Sequence, residues 1–135
     1  MQVCTLIFSF FTFLSSLTMK ESIVHSKSLN FAVGIVLFYE DFLLLKKDNT
    51  IAKQLLRSAT SIGANLNEAT FGNSKADFIS KLHIALKETS ESLYWLQLLN
   101  KVYPQIEKLP ELLSQANEIK AILVASLNTA KKQKD

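Results

Sequence analysis

From about Ser28 to Lys46 the apolar positions Phe31, Ile35, Phe38, Phe42 and Leu45 recur at steps of three and four, the period of a helix rather than the alternation of a strand. Val36, Leu37, Leu43 and Leu44 widen that stripe, so this helix is expected to be covered on more than one side. A second run, opening with Asp48 or Asn49 as N-cap and closing near Phe71, carries Leu55, Ala59, Ile62, Leu66 and Ala69 at alternating steps of four and three, the seam spacing of packed helices. Gly72 follows where a left-handed C-cap residue is expected. A third run opens at Ser74, with Asp77 three residues on in the manner of a capping box, and continues to Tyr103 before Pro104 stops it. Its inward face reads Phe78, Leu82, Ala85, Thr89, Leu93, Leu96 and Leu99. The fourth starts at Pro110 and places Leu112, Leu113, Ala116, Ile119, Leu123, Leu127 and Ala130 on one face. Short connections between long helices make antiparallel neighbours, so the expected architecture is all-α, an antiparallel up-down-up-down four-helix bundle.

Composition agrees with that pattern. The chain of 135 residues is the size of one domain, and its three Gly and two Pro leave little to interrupt helices. Residues 1–18 stand apart from residues 19–135, because every charged residue lies from Lys20 onward. Three readings of this extension compete: a signal peptide, a membrane span or anchor, and a start-site artefact with translation beginning at Met19. Against a signal peptide, no Lys or Arg precedes the apolar run and no A-x-A-like cleavage site follows it. Against a span, the run is short of about 20 apolar residues and is interrupted by Thr5, Ser9, Thr12, Ser15 and Ser16. If made, the segment is expected to be poorly ordered or membrane-seeking.

The second run is short of bulk where a core helix usually carries Leu and Ile. Ala59, Gly63 and Ala64 would let another backbone approach closely, while Arg57, Ser61, Asn65 and Glu68 form a second, polar stripe for neighbouring helices or subunits. A turn centred near residue 73 puts Arg57 level with Glu88 and Thr89, and Asn65 level with Lys81. An ion pair from Arg57 to Glu88 or Glu91 across the helices is therefore expected, with the role of orienting the bundle. Tyr94 and Trp95 suit a subunit interface or core better than a base-stacking platform. Lys75, Lys81 and Lys87 recur at steps of six, so they drift around the helix rather than making a straight phosphate track, although an oligomer would multiply any basic patch. Lys131, Lys132 and Lys134 cluster at the tail, where cations also suit a helix C-terminus. The formal charge of +3, from 15 basic and 12 acidic residues, permits a nucleic-acid partner without demanding one.

Enzymatic chemistry finds little support. A di-iron bundle needs Glu-x-x-His pairs, and no histidine lies three residues after Glu88 or Glu91. His83 reads as a surface residue and His25 as lying outside the bundle. Gly34, Gly63 and Gly72 are isolated, so there is no phosphate-cradling loop, and neither Cys4 nor any serine has the context of a nucleophile. No catalytic, cofactor-binding or metal-binding residue is assigned, and no small-molecule substrate is expected.

The run QLLRSATSIGANLNEA from Gln54, followed by SKADFISKLHIALKE and YWLQLL, resembles the four-helix-bundle proteins of the 23S rRNA intervening-sequence, or S23, family. The resemblance extends from about Lys20 to the end and is strongest from Gln54 to Leu99. Gly72 stands where alanine is more usual and Asn67 where arginine is common, which loosens one turn and removes one surface cation. The resemblance implies a small cytoplasmic bacterial protein that forms ring-like homopentamers and begins near Met19. It implies association with ribosomal or other structured RNA, since such proteins are often encoded within the large ribosomal RNA gene. A similarity in fold to the accessory protein of diversity-generating retroelements implies the alternative, an adaptor for a nucleic-acid enzyme such as a reverse transcriptase.

Overall fold

The computed structural model describes residues 2–46 and 48–133, and the side chains of all of these except 13, 14 and 16–22. Among the described residues every regular element is a helix: α1 (Gln2–Leu45), α2 (Thr50–Thr70), α3 (Lys75–Val102) and α4 (Lys108–Lys132). The chain is all-α. Each helix packs on two others, α1 and α3 both lying against α2 and α4. Residues in contact show the directions. His25 and Ser28 meet Leu66 and Gly63, Lys27 and Gly34 meet Glu118 and Leu112, and Arg57 and Glu68 meet Glu91 and Lys81. In each pair of helices one number rises as the other falls, so these neighbours run antiparallel.

The helix ends follow local chemistry. Before Gly34 the sequence contains neither Gly nor Pro, so nothing breaks α1. That helix consequently starts at Gln2, well before the expected start near Ser28. Its inner stripe reaches further upstream too, with Val24 and Ser28 buried ahead of Phe31, Ile35, Phe38 and Phe42. At the start of α2, Asn49 makes no side-chain cap. The carboxylate of Asp48 takes that role instead, accepting from the Thr50 N–H at 3.0 Å and from the Thr50 hydroxyl at 2.8 Å. These two bonds, the backbone one foremost, hold the Asp48 carboxyl below its ordinary range.

Gly72 differs from its expected role. Its φ is not positive, so the left-handed cap is absent, and α2 closes with the Phe71 and Gly72 N–H groups donating to Glu68 and Ala69 carbonyls. The site is tight: an added Cβ would lie 2.9 Å from Asp77 Oδ2, the end of a side chain that can turn aside, and 3.2 Å from the Ala69 carbonyl oxygen. Ser74 caps α3 by accepting from the Asp77 N–H at 3.1 Å. Helix α4 starts at Lys108, putting Pro110 inside its first turn and burying Leu109, one residue outside the expected stripe.

The core is one cluster running through all these helices. Ala52, Leu55, Ala59, Ile62, Leu66 and Ala69 come from α2, Leu82, Ala85, Leu93, Leu96 and Leu99 from α3, and Leu112, Ala116, Ile119, Leu123, Leu127 and Ala130 from α4. Phe78 and Leu113 are only partly buried at its edge. Full burial of each larger side chain contributes roughly 1.5–3 kcal/mol before the cost of ordering the chain. At one end Tyr103 closes the cluster, edge-on to Phe42 at 5.4 Å, with the Lys46 ammonium over its ring.

Candidate interaction surfaces

The α2–α3 seam gathers much of the buried polar chemistry. Ser58 and Ser92, both buried, face each other with their hydroxyl oxygens 2.8 Å apart. Each also lies within reach of a carbonyl of its own helix, Leu55 and Glu88 respectively. A hydroxyl has one proton, so one serine donates across the seam while the other donates to its own helix. Thr89 donates to the Ala85 carbonyl at 2.7 Å and is thereby satisfied inside the core.

Outside this pair Arg57 reaches both acids of α3. One guanidinium nitrogen donates to Glu91, and the other lies 3.7 Å from Glu88 Oε2. Arg57 is about half exposed, whereas the Glu88 side chain is 16% exposed, and its Oε2 has no hydrogen-bond donor among the described residues. Glu91 additionally accepts from the Trp95 indole N–H at 3.2 Å. The bond from Arg57 holds the Glu91 carboxyl below the ordinary carboxylate value, and the same bond raises the guanidinium.

The remaining polar stripe of α2 divides. Glu68 pairs with Lys81, raising the ammonium first through the hydrogen bond and then through charge. Asn65, expected level with Lys81, instead donates to the Ser61 carbonyl, and Ser61 donates to the Arg57 carbonyl. Both short side chains are drawn back to their own helix, as such residues often are. The register is thus a few residues from that expected, with Ser58 opposite Ser92 and Glu68 opposite Lys81.

Two histidines separate clearly. His83 is exposed. His25, expected outside the bundle, lies between α1 and α2 with Nε2 2.9 Å from the Leu66 carbonyl oxygen and 3.2 Å from the Thr70 hydroxyl. The signal was available, since His25 falls between Val24 and Ser28 on the upstream continuation of the inner stripe. Gly63 sits beneath Ser28, where an added Cβ would meet the serine oxygen at 3.4 Å. Ala64 is exposed.

The cations do not converge. Lys75 and Lys87 are exposed on α3, while Lys81 is engaged by Glu68. Lys131 and Lys132 occupy the last turn of α4, and Lys134 lies outside the described residues. Tyr94 is exposed and packs edge-on against the partly buried Trp95, with ring centroids 5.0 Å apart. No group of three His, Cys, Asp or Glu among the described residues could hold a metal ion.

The apolar surface is concentrated on α1. Val36, Leu37, Leu43 and Leu44, expected to be covered, are exposed in this chain, and Leu44 is 87% exposed. Leu45, assigned to the inner stripe, is exposed as well. With Leu29 and Val33, the residues Val36, Leu37, Leu43 and Leu44 make a second stripe at helical spacing on the side turned away from the core. A neighbouring groove is lined by Ile23 of α1 and by Ala121, Ile122 and Ala125 of α4.

The model of the 23S rRNA-intervening sequence protein family matches residues 20–125. The chain belongs to that family. It is also similar to a crystal structure, at 1.70 Å resolution, of a protein with unknown function from the S23 ribosomal protein family of Bacteroides thetaiotaomicron. The two chains are 44% identical and superpose with a TM-score of 0.77, over 81% of this chain and 98% of that one. No curated protein matches. The intervening-sequence family region thus includes the α2–α3 clamps and the outer stripe of α1, and begins after the uncharged segment.

Proposed function

We propose that residues 19–135 form an up-down-up-down four-helix bundle whose role is assembly: a non-enzymatic, cytoplasmic homo-oligomer, a pentameric ring by family resemblance, associated with structured RNA or a ribonucleoprotein. The observation that carries this reading is the second apolar stripe of α1. A helix with Leu29, Val33, Val36, Leu37, Leu43 and Leu44 exposed opposite a buried stripe has the pattern of a core helix with one side uncovered. A second copy of the chain would cover it. Analytical ultracentrifugation in density-matched detergent tests the assembly. A discrete oligomer that dissociates on V33E/L37E substitution supports it, and a strict monomer overturns it.

The RNA association rests on the family and on the exposed cations Lys75, Lys87, Lys131 and Lys132. Titration with structured RNA across a salt series is expected to give log affinity falling linearly with log salt, because phosphate contacts release counterions. No binding at low salt would remove RNA from the reading. The engagement of Lys81 by Glu68 favours the rival reading, a protein-binding adaptor for a nucleic-acid enzyme such as a reverse transcriptase. Genomic context separates them: a reading frame inside a ribosomal RNA gene supports the first, and one beside a reverse transcriptase supports the second.

A further inference from the structure

The helix α1 has one part with no place in this assembly. From Gln2 to Met19 it carries no charge at all, and the family region starts after it, at residue 20. Val3, Leu6, Ile7, Phe8, Phe10 and Phe11 are all exposed, Phe8 to 73%. At 100° per residue these six side chains cover more than half the circumference of the helix. We propose that this segment is a lipid anchor: it enters the hydrocarbon layer of a bilayer as a helix and holds the bundle at the membrane surface.

Three observations favour lipid over other occupants. A groove on a protein covers one stripe of a docked helix, whereas this segment is apolar around most of its circumference. Helices that lie flat in the interface have a strongly polar face rich in Lys and Arg, whereas the polar stripe here, Gln2, Thr5, Ser9 and Thr12, is narrow and carries no charge. The hydroxyl of Thr12 is compatible with hydrocarbon, since it lies within hydrogen-bond reach of the Phe8 and Ser9 carbonyls of its own helix at 3.0 Å. The apolar helix Gln2–Thr12 is by itself shorter than a span, and the uncharged run through Met19 extends about 27 Å at 1.5 Å per residue, just under the ~30 Å core of a bilayer. The later stretch Ile23–Leu45 is long and apolar enough to span. It does not serve, because Val24, Phe31, Ile35, Phe38 and Phe42 are committed to the bundle core.

Orientation follows from charge. Lys20 and Lys27 follow the segment closely, and the positive-inside tendency places such flanking cations, and with them the bundle, on the cytoplasmic side.

The test is flotation of the full chain with vesicles of phosphatidylethanolamine and phosphatidylglycerol, followed by alkaline carbonate extraction. The wild-type chain is expected to float and to resist extraction. The double substitution F8K/F11K is expected to lower the floated fraction at least about tenfold, since each lysine is costly in hydrocarbon, while thermal unfolding of the bundle is unchanged. Failure of the wild-type chain to float overturns the anchor, and so does equal flotation of F8K/F11K. Pelleting without vesicle binding means self-association and also overturns it, as does a native protein whose first residue is Met19. None of these results bears on the assembly through the outer stripe of α1, which is tested separately by the substitutions at Val33 and Leu37.

Discussion

The two sides of α2 are joined to their neighbours in different ways. Toward α3 the contact is stitched by polar pairs, Ser58 with Ser92, Arg57 with Glu88 and Glu91, and Glu68 with Lys81. Toward α1 it is made mainly by close approach and bulk, with Gly63 beneath Ser28, and Phe31 and Ile35 fully buried in the shared core, and a single histidine, His25, meets the Leu66 carbonyl and the Thr70 hydroxyl at one end. Apolar burial is non-directional and supplies stability, whereas polar pairs tolerate little displacement and so select a register. The comparison assigns different tasks to the two seams: the α1 seam is held chiefly by apolar burial, whereas α3, which buries Leu82, Leu93, Leu96 and Leu99 in the same core, also fixes how far along α2 it packs.

The largest expected break is on the α1 side. F31A removes a fully buried ring and should lower unfolding free energy by about 3–5 kcal/mol, the usual range for an aromatic deleted from a core. Urea unfolding would measure this, and a loss below about 1 kcal/mol would mean that α1 is not integral to the core. Next comes Gly63. An alanine there makes an ordinary contact with Ser28 and gains helix propensity, so G63A should be neutral or stabilising by up to about 1 kcal/mol. G63L should instead cost about 1–3 kcal/mol by overpacking. Equal stability of the two variants would show that α1 and α2 are not held at close approach.

Much of this comparison was legible in the sequence, for identifiable reasons. The four-three spacing of Leu55, Ala59, Ile62, Leu66 and Ala69 marked the buried face of α2, to which the structure adds Ala52 and Ser58, because a seam helix has a sharp period. Arg57 could be assigned an acidic neighbour on α3 because a short turn sets which residues lie level. Finer placement failed where side chains have alternatives: Asn65 and Ser61 return to their own backbone, and Glu68 takes Lys81. The start of α1 was missed because charged and hydroxyl residues from Ser15 to Ser28 blur the apolar period, while only the absence of Gly and Pro signals that the helix continues. Gly72 was assigned a left-handed conformation that it does not adopt, because its closeness to Asp77 and the Ala69 carbonyl is visible only in the fold.

On the α3 side the expected effects are smaller and concern coupling. S58A and S92A each leave the other hydroxyl a carbonyl of its own helix, so each should cost about 1 kcal/mol or less. A double-mutant cycle should return a coupling of about 0.5–1 kcal/mol between them. Additivity within about 0.3 kcal/mol would show that the hydroxyls do not bond across the seam.

The smallest change in overall stability is expected from Arg57, which is half exposed and screened by solvent, yet it gives the sharpest reading of the seam through pH. The Glu91 carboxyl is held below its ordinary value of 4.5, first by the hydrogen bond from Arg57. Between that depressed folded value and the ordinary unfolded one the unfolded chain binds more protons, so stability rises with pH through this window. The contribution is therefore present above the unfolded value and is lost as pH falls through the folded one. R57M removes the principal cause, so its urea midpoint should change less than wild type across about pH 3 to 5. It also leaves Glu88 Oε2 with no cation beside it in a largely buried position, so E88Q should restore part of what R57M loses. If R57M matches wild type in melting, in assembly and in pH slope, the ion pair does not set the register, and that task falls to Ser58 and Ser92 with Glu68 and Lys81.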